Sequence, residues 1–364
     1  MNVGLRTILV VLAVAIPGLA QSTELPKQGL EDRIEFWKKV YTQYGGDDVI
    51  IHDRIHVNLI YDVANEDDVD SKVRAVKSAL SEIESNLATP ENLSETARLI
   101  SDAIMANGLS LSESTLVELR DNIHTQRGIK ERFREGIIRS GRYIDSFQGI
   151  FGKQGLPTKI ALLPLVESSF ENRSLSKAGA AGIWQFTRGT GRRYLTIGRK
   201  LDERLDPAKA TRAAARLLMD NYNALGTWPL AITAYNHGRG GMQRAQSEIG
   251  SDLTTIIDQY DGPLFGYASM NFYSEFVAAV EVYENYQQYF GELVLDSPSS
   301  RTSTATKAPV QLARAKAPTS RYKVRSGDSL SAIAQRFRTS ITQLMERNNL
   351  SNSVIHAGQI LLVK

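Results

Sequence analysis

The 364-residue chain contains no cysteine. No disulfide can staple it, so its fold must hold by packing alone. The same absence excludes a lipid anchor attached through an N-terminal cysteine. The sequence near the start also lacks the ~20 apolar residues that a membrane-spanning helix needs. An apolar run from Ile8 to Ile16 stops at Pro17-Gly18, with Arg6 before it and the small residues of Gly18-Leu19-Ala20 after it. That pattern predicts a cleavable export signal over residues 1–20, cut after Ala20. The mature chain is therefore expected beyond the inner membrane, periplasmic and without a stable membrane anchor.

What is present is ordinary in bulk and uneven in detail. Hydrophobic residues make up 42% and charged residues 23%, as in a soluble protein with one good core and a smaller module. The net charge of +3 hides an asymmetry. Residues 296–364 carry eleven Lys/Arg against three Asp/Glu, or +8, which leaves −5 for residues 1–295. A basic tail can bind nucleic acid, but an exported protein meets none routinely. An anionic wall polymer is the partner this charge implies.

Composition divides the chain. Residues 21–135 read as a helical N-terminal region: Val73, Val76, Leu80, Ile83 and Leu87 recur at helical spacing, and Ser110 with Glu113 reads as a capping box. In residues 136–295, Asp206-Pro207 opens a helix ending at Gly226, and Trp228-Pro229 opens another ending at Gly238. Phe272 to Phe290 is expected to be a core helix, and no alternating pattern is long enough for a sheet in this part. Residues 296–320, rich in Ser, Thr, Ala, Pro and basic residues, are expected to form a flexible linker. Residues 321–364 read βααβ. The predicted class is mainly α.

Chemistry begins at Leu162-Leu163-Pro164-Leu165-Val166-Glu167, where one carboxyl sits in an apolar run. Burying it costs several kcal/mol (order of magnitude) unless it is protonated or paired. From this segment alone, a structural glutamate bonded to backbone donors and a functional one are equally supported. Next comes Ser176 to Phe186, whose Gly179 and Gly182 sit among small residues and can let backbone approach a ligand. Ala234-Tyr235-Asn236 follows at a helix end.

Together, Glu167-Ser168, the Gly-Ala-x-Gly-x-x-Gln run from Gly179 to Gln185, and Ala234-Tyr235-Asn236 resemble the signature motifs of family-1 lytic transglycosylases. The likeness covers residues 136 to about 250 and implies a helical fold like that of goose-type lysozyme. Carried over position by position, it implies Glu167 as catalytic acid/base and Ser176 as a contact to the sugar at the reaction centre. Gln185 would line the cleft, and Tyr235 would orient the catalytic group and the N-acetyl moiety. Ser168, Gly179, Gly182 and Asn236 complete the implied substrate-binding set. The family's late-helix Glu-x-x-x-Tyr-Val signature is altered here: Phe272-Tyr273-Ser274-Glu275-Phe276-Val277 puts Phe276 at the tyrosine, which leaves Tyr273 as the candidate. No cofactor and no metal are implied.

The activity so implied needs one carboxyl. Glycosidases that hydrolyse generally use two. A lytic transglycosylase uses the substrate's own C6 hydroxyl as nucleophile, leaving a 1,6-anhydroMurNAc end. Residues 321–364 resemble a LysM domain through Tyr322 to Leu330, Ile333-Ala334, Phe337, Asn348-Asn349-Leu350 and Ile355 to Gln359. That likeness implies binding of peptidoglycan strands between Gly327, Asp328, Ser329 and Leu330 on one side and Ser353, Val354 and Ile355 on the other. Two other readings compete, a muramidase of the same fold and a non-catalytic wall-binding protein. His52-Asp53-Arg54-Ile55-His56 looks like a zinc motif, but its apolar alternation favours an extended segment, with residues four apart lying ~13 Å from each other. Asp67, Asp68 and Asp70 read as a solvated turn.

Overall fold

The computed structural model describes residues 25–298, together with 321–325, 328–337, 344–345, 348, 355–356 and 358–363. The expected signal at 1–20 and nearly all of the expected linker lie outside the described residues, as do Gly327, Ser353 and Val354. The chain divides into two compact units, one up to Ser300 and one from Arg301 onward. No helix among the described residues is long and apolar enough to cross a membrane.

The larger unit is mainly α, as the sequence predicts, with one sheet that the helical reading of residues 21–135 missed. Helix α1 (Glu31–Thr42) leads to strands β1 (Asp48–Asp53) and β2 (Ile60–Asn65). Helices α2 (Val69–Ser85), α3 (Glu95–Ala106) and α4 (Glu113–Asp121) and strand β3 (Ile123–Arg127) follow. The strands form an antiparallel sheet in the order β2-β1-β3. Being central, β1 buries both faces. Val49 and Ile51 join a core with Val76, Leu80 and Ile83 of α2, while Ile50 joins the core built around α1. A strand apolar on both sides shows little alternation, so its period is hard to read from sequence. The cap of α4 is also displaced: Ser112, not Ser110, accepts the Thr115 amide at 3.2 Å.

His52 and Asp53 lie on this strand, as the extended reading expects. Asp53 Oδ1 accepts the amides of Ile55 and His56 at 2.8 and 2.7 Å, which makes an Asx turn. Burial, then the neighbouring His124, holds the His52 imidazole down to about 3. Its Nε2 meets the Tyr267 hydroxyl at 3.2 Å.

The remaining helices are α5 (Lys130–Ser140), α6 (Ile144–Lys153), α7 (Pro164–Glu167), α8 (Arg188–Gly191) and α9 (Pro207–Leu225). They continue with α10 (Trp228–His237), α11 (Arg239–Ile249), α12 (Leu253–Gln259), α13 (Tyr267–Glu284) and α14 (Tyr286–Phe290). Asp206 caps α9 through the Lys209 amide, Pro207 takes its first position, and Gly226 ends it at φ 79°, all as read from the sequence. The expected core helix at 272–290 begins earlier, at Tyr267, and breaks at Asn285. Helix α13 is buried on nearly every side, as its all-round apolarity requires. It packs on α1, and one core runs from Leu30, Phe36 and Val40 through Phe276 and Val280. The core therefore crosses the boundary expected at residue 135, which falls inside α5.

In the smaller unit, β4 (Arg321–Lys323) pairs antiparallel with β5 (Ile360–Leu362), and α15 (Leu330–Arg336) lies between them in sequence. Tyr322, Val324, Leu330, Ile333, Leu344, Leu361 and Val363 form its core.

Candidate active site

Glu167 ends the one-turn helix α7, which Pro164 opens. The next turn is sharp: Ser169 and Phe170 both adopt left-handed backbone, at φ 51° and 57°. Such conformations are unfavourable for residues with a side chain and persist where surroundings enforce them. Here Phe170 is buried beside Tyr143 and Phe147, and Arg139 Nε holds the Ser169 carbonyl at 2.9 Å. Gly136 of α5 admits this turn; a Cβ there would lie 2.9 Å from Ser169 Cβ.

The loop from Ser174 to Phe186 packs against the turn. Ser168 is buried and donates to the Ile183 carbonyl at 2.8 Å. It fastens the loop, so its expected contact with substrate is corrected. Ser176 is half-buried, and its Oγ accepts the Ala180 amide at 3.0 Å. Gln185, with left-handed φ of 47°, donates from Nε2 to the carbonyls of Gly182 at 2.8 Å and Ser174 at 3.3 Å. The two glycines differ. Gly179, at φ 79°, has open space where a Cβ would stand. Gly182, at φ 81°, has the Arg204 carbonyl 2.0 Å from that point. The close approach inferred for Gly182 is thus to protein backbone. Arg204, itself buried, braces the loop by donating to the carbonyls of Gly179 at 2.8 Å and Phe186 at 2.9 Å.

Tyr235 of α10 closes one side, its hydroxyl donating to the Trp184 carbonyl at 2.7 Å. Burial, and then the charge of Glu167, pushes its pKa well above the usual phenol range, so it stays a neutral donor beside Glu167. Asn236 is exposed and accepts the Ser269 hydroxyl at 3.2 Å.

Helix α13 brings the residue that the sequence reading missed. Glu275 interacts electrostatically with Glu167. Tyr273, the expected site residue, is buried instead and donates to the Pro26 carbonyl at 2.9 Å. Positions two apart on a helix point roughly 200° away from each other, so both cannot face Glu167. Aligning the late signature on Phe276-Val277 puts its glutamate at Phe272. Counted from Glu275, its last two positions become Ala279 and Val280. The usable signal was a lone acid in the apolar stretch from Tyr267 to Val280, the same signal that marks Glu167. By contrast Glu171 is exposed, Asp202 is paired with Arg204 at 2.7 Å, and Glu203 with Lys209 at 2.7 Å.

Burial pushes the Glu167 carboxyl up to about 8, with the Glu275 charge as second cause, and burial alone pushes Glu275 up to about 8. Both are therefore mostly protonated at pH 7. Between the ordinary value of 4.5 and about 8 the folded protein holds protons that the unfolded chain has released. Stability must then fall as pH rises through that window. Glu275→Gln is expected to flatten this loss. It should also lower the alkaline limb of the activity profile, because Glu167 loses a like-charged neighbour. Denaturation midpoints and rates from pH 5 to 9 test both, and an unmoved alkaline limb would separate the two carboxyls.

A cavity of about 470 Å³ lies elsewhere, lined by Leu25, Lys27, Lys159, Val277, Glu281 and Glu284. Its α13 residues sit on the helix face opposite Glu275. Its charges are satisfied by the Lys27–Glu281 and Lys159–Glu284 pairs. Among the described residues no group of three or more His, Asp or Glu is placed to hold a metal ion. In the smaller unit, Asp328 accepts the Tyr322 hydroxyl and the Arg325 amide, both at 2.8 Å. Leu330 is buried, so these two members of the expected glycan-binding loop serve its fold. Ser329 is exposed and Ile355 half-buried.

Residues 151–256 match the transglycosylase SLT domain, and residues 322–364 match the LysM domain. Membrane-bound lytic murein transglycosylase D of Escherichia coli (strain K12) is 37% identical over 119 residues, covering 32% of this chain and 26% of that protein. A putative tributyltin chloride resistance protein of Alteromonas sp. (strain M-1) is 35% identical over 109 residues, 29% of this chain and 53% of that protein. Cell wall-binding protein YocH of Bacillus subtilis (strain 168) is 48% identical over 46 residues, 13% of this chain and 16% of that protein. The chain thus spans between about a quarter and about half the length of the first two relatives. Both Glu167 and Tyr235 fall inside the SLT match, whereas Glu275 lies beyond its end, and the chain thus carries a region similar to the transglycosylase SLT domain followed by one similar to the LysM domain.

Proposed function

We propose that this chain is a lytic transglycosylase that cuts the β-1,4 bond between MurNAc and GlcNAc in peptidoglycan. The observation that carries the reading is the half-buried Glu167, its carboxyl pushed up to about 8 among apolar neighbours, within the SLT domain match. Glu167 gives its proton to the glycosidic oxygen as the bond to C1 breaks. As a carboxylate, it then takes the proton of the C6 hydroxyl while that oxygen closes on C1. The nucleophile is already part of the sugar, so little entropy is lost in capturing it. Glu275 leaves this balance intact. A retaining hydrolase needs an ionised second carboxylate, and an inverting one needs a second carboxylate as base; a glutamate raised to about 8 is neither at pH 7.

The test is the product. Ends should be 1,6-anhydroMurNAc, unlabelled when the reaction runs in heavy-oxygen water. Mass spectrometry separates these from reducing ends by one water per cut. Mostly label-bearing reducing ends would instead make the enzyme a muramidase, and absence of cleavage would make the domain a glycan clamp.

The LysM module acts as a tether, with Ser176, Gln185 and Tyr235 reserved for the cleft. Export through residues 1–20, a periplasmic location without a membrane anchor, and contact with the wall rather than nucleic acid complete the reading. Truncation after Asp296 should weaken sedimentation with insoluble peptidoglycan and spare activity on short soluble glycans, because a tether raises local concentration without adding a catalytic group. Part of the lost attraction belongs to the +8 tail and should be sensitive to salt. Equal sedimentation of both forms would refute the tether.

A further inference from the structure

The thirty residues from Asn172 to Leu201 contain no Asp or Glu and seven Lys/Arg: Arg173, Lys177, Arg188, Arg192, Arg193, Arg199 and Lys200. This +7 ribbon stands in a stretch, residues 1–295, whose net charge is −5. It begins just after the catalytic turn and contains the loop of Ser176 and Gln185. All seven cations are exposed, and none forms an ion pair within 4.0 Å among the described residues. Of the nearby acids, Glu171 is exposed and accepts the Arg173 amide at 3.2 Å, and the others are engaged. Asp202 pairs with the buried Arg204, Glu203 with Lys209, and Asp220 accepts the Tyr194 hydroxyl at 2.6 Å. The side-chain cation that braces the loop is Arg204, which lies outside the ribbon.

Of the seven, Arg188 lies within electrostatic reach of Asp202, and like charges gathered with so few counter-charges raise the local potential and cost self-repulsion, which an anionic ligand relieves. We propose that this ribbon binds the carboxylates of the stem peptides that hang from MurNAc. The proposal rests on the transglycosylase reading, which lays a glycan strand along the same loop. The peptide is joined to the sugar at the cut bond, so its acids are carried to the ribbon by the strand itself. Arg188, Arg192 and Arg193, on and just after α8, follow Gln185 within eight residues and are taken as the core of the surface. A free anionic polymer would lack this fixed register.

The experiment compares peptide-bearing glycan strands with strands stripped of peptide by an amidase, using the full chain and the triple variant Arg188→Gln/Arg192→Gln/Arg193→Gln. The wild type should show about a tenfold lower KM for peptide-bearing strands, equivalent to about 1.4 kcal/mol spread over several exposed charge contacts. The variant's KM ratio should fall close to one, as should the wild type's in high salt. A circular dichroism spectrum and melting curve matching the wild type would confirm that the variant is folded. Equal KM ratios in folded variant and wild type would overturn the ribbon's role while leaving the activity in place. Failure of the wild type to cleave either polymer would overturn the transglycosylase reading, and this proposal with it.

Discussion

Glu167→Gln is expected to abolish glycan cleavage, by about 10³-fold or more, while the protein still folds and still sediments with the wall. Gln preserves the shape of the side chain and removes the proton. General acid–base help of this kind is worth about 10² to 10⁴ in rate, and here one group serves in both halves of the reaction. The variant should also be more stable than wild type above pH 8. The half-buried carboxyl must ionise in that range, whereas an amide has no charge to desolvate. A melting curve at pH 9 and a sacculus digestion at pH 7 make the two measurements. Near-wild-type digestion by the folded variant would remove Glu167 from the reaction altogether.

Much of this site was legible because its signals are local. A carboxyl in an apolar run, two glycines three apart, and an Ala-Tyr-Asn at a helix end each sit within a dozen residues, and the fold brings the three segments together: Ser168 bonds to Ile183 and Tyr235 to Trp184. The caps of α9 were legible for the same reason, since Asp-Pro at one end and Gly at the other act on their own backbone. What failed was long-range. The strand β1 hides because both of its faces are covered, one by α2 and the other by α1. Ser168 and Gly182 stand in motif positions yet face protein, and only the location of Ile183 and Arg204 decides that. Glu275 was visible as an acid in an apolar helix, but a register shift on that helix gave the role to Tyr273. A helix position means little until its neighbours are known. Tyr273 turned out to hold Pro26 of the N-terminal segment.

The two loop glycines, indistinguishable in sequence, should part company under mutation. At Gly179→Ala the new Cβ meets open space, so the cost is that of a left-handed alanine, about 1–2 kcal/mol. Activity should stay within a few-fold of wild type. At Gly182→Ala the same conformational cost is joined by a Cβ placed 2.0 Å from the Arg204 carbonyl. That carbonyl cannot step aside cheaply. Arg204 is buried, paired with Asp202, and holds Gly179 and Phe186 through their carbonyls. Moving it would shift the loop that positions Ser176 and Gln185, and displacements near 1 Å can cost about 10² in rate. Destabilisation of roughly 3 kcal/mol or more is expected, from overpacking added to backbone strain. Activity should fall at least tenfold even at temperatures where the variant remains folded. Chemical denaturation and rates measured side by side decide the matter. Equal effects of the two substitutions would mean that Arg204 does not brace this loop, and that the glycines serve the ligand after all.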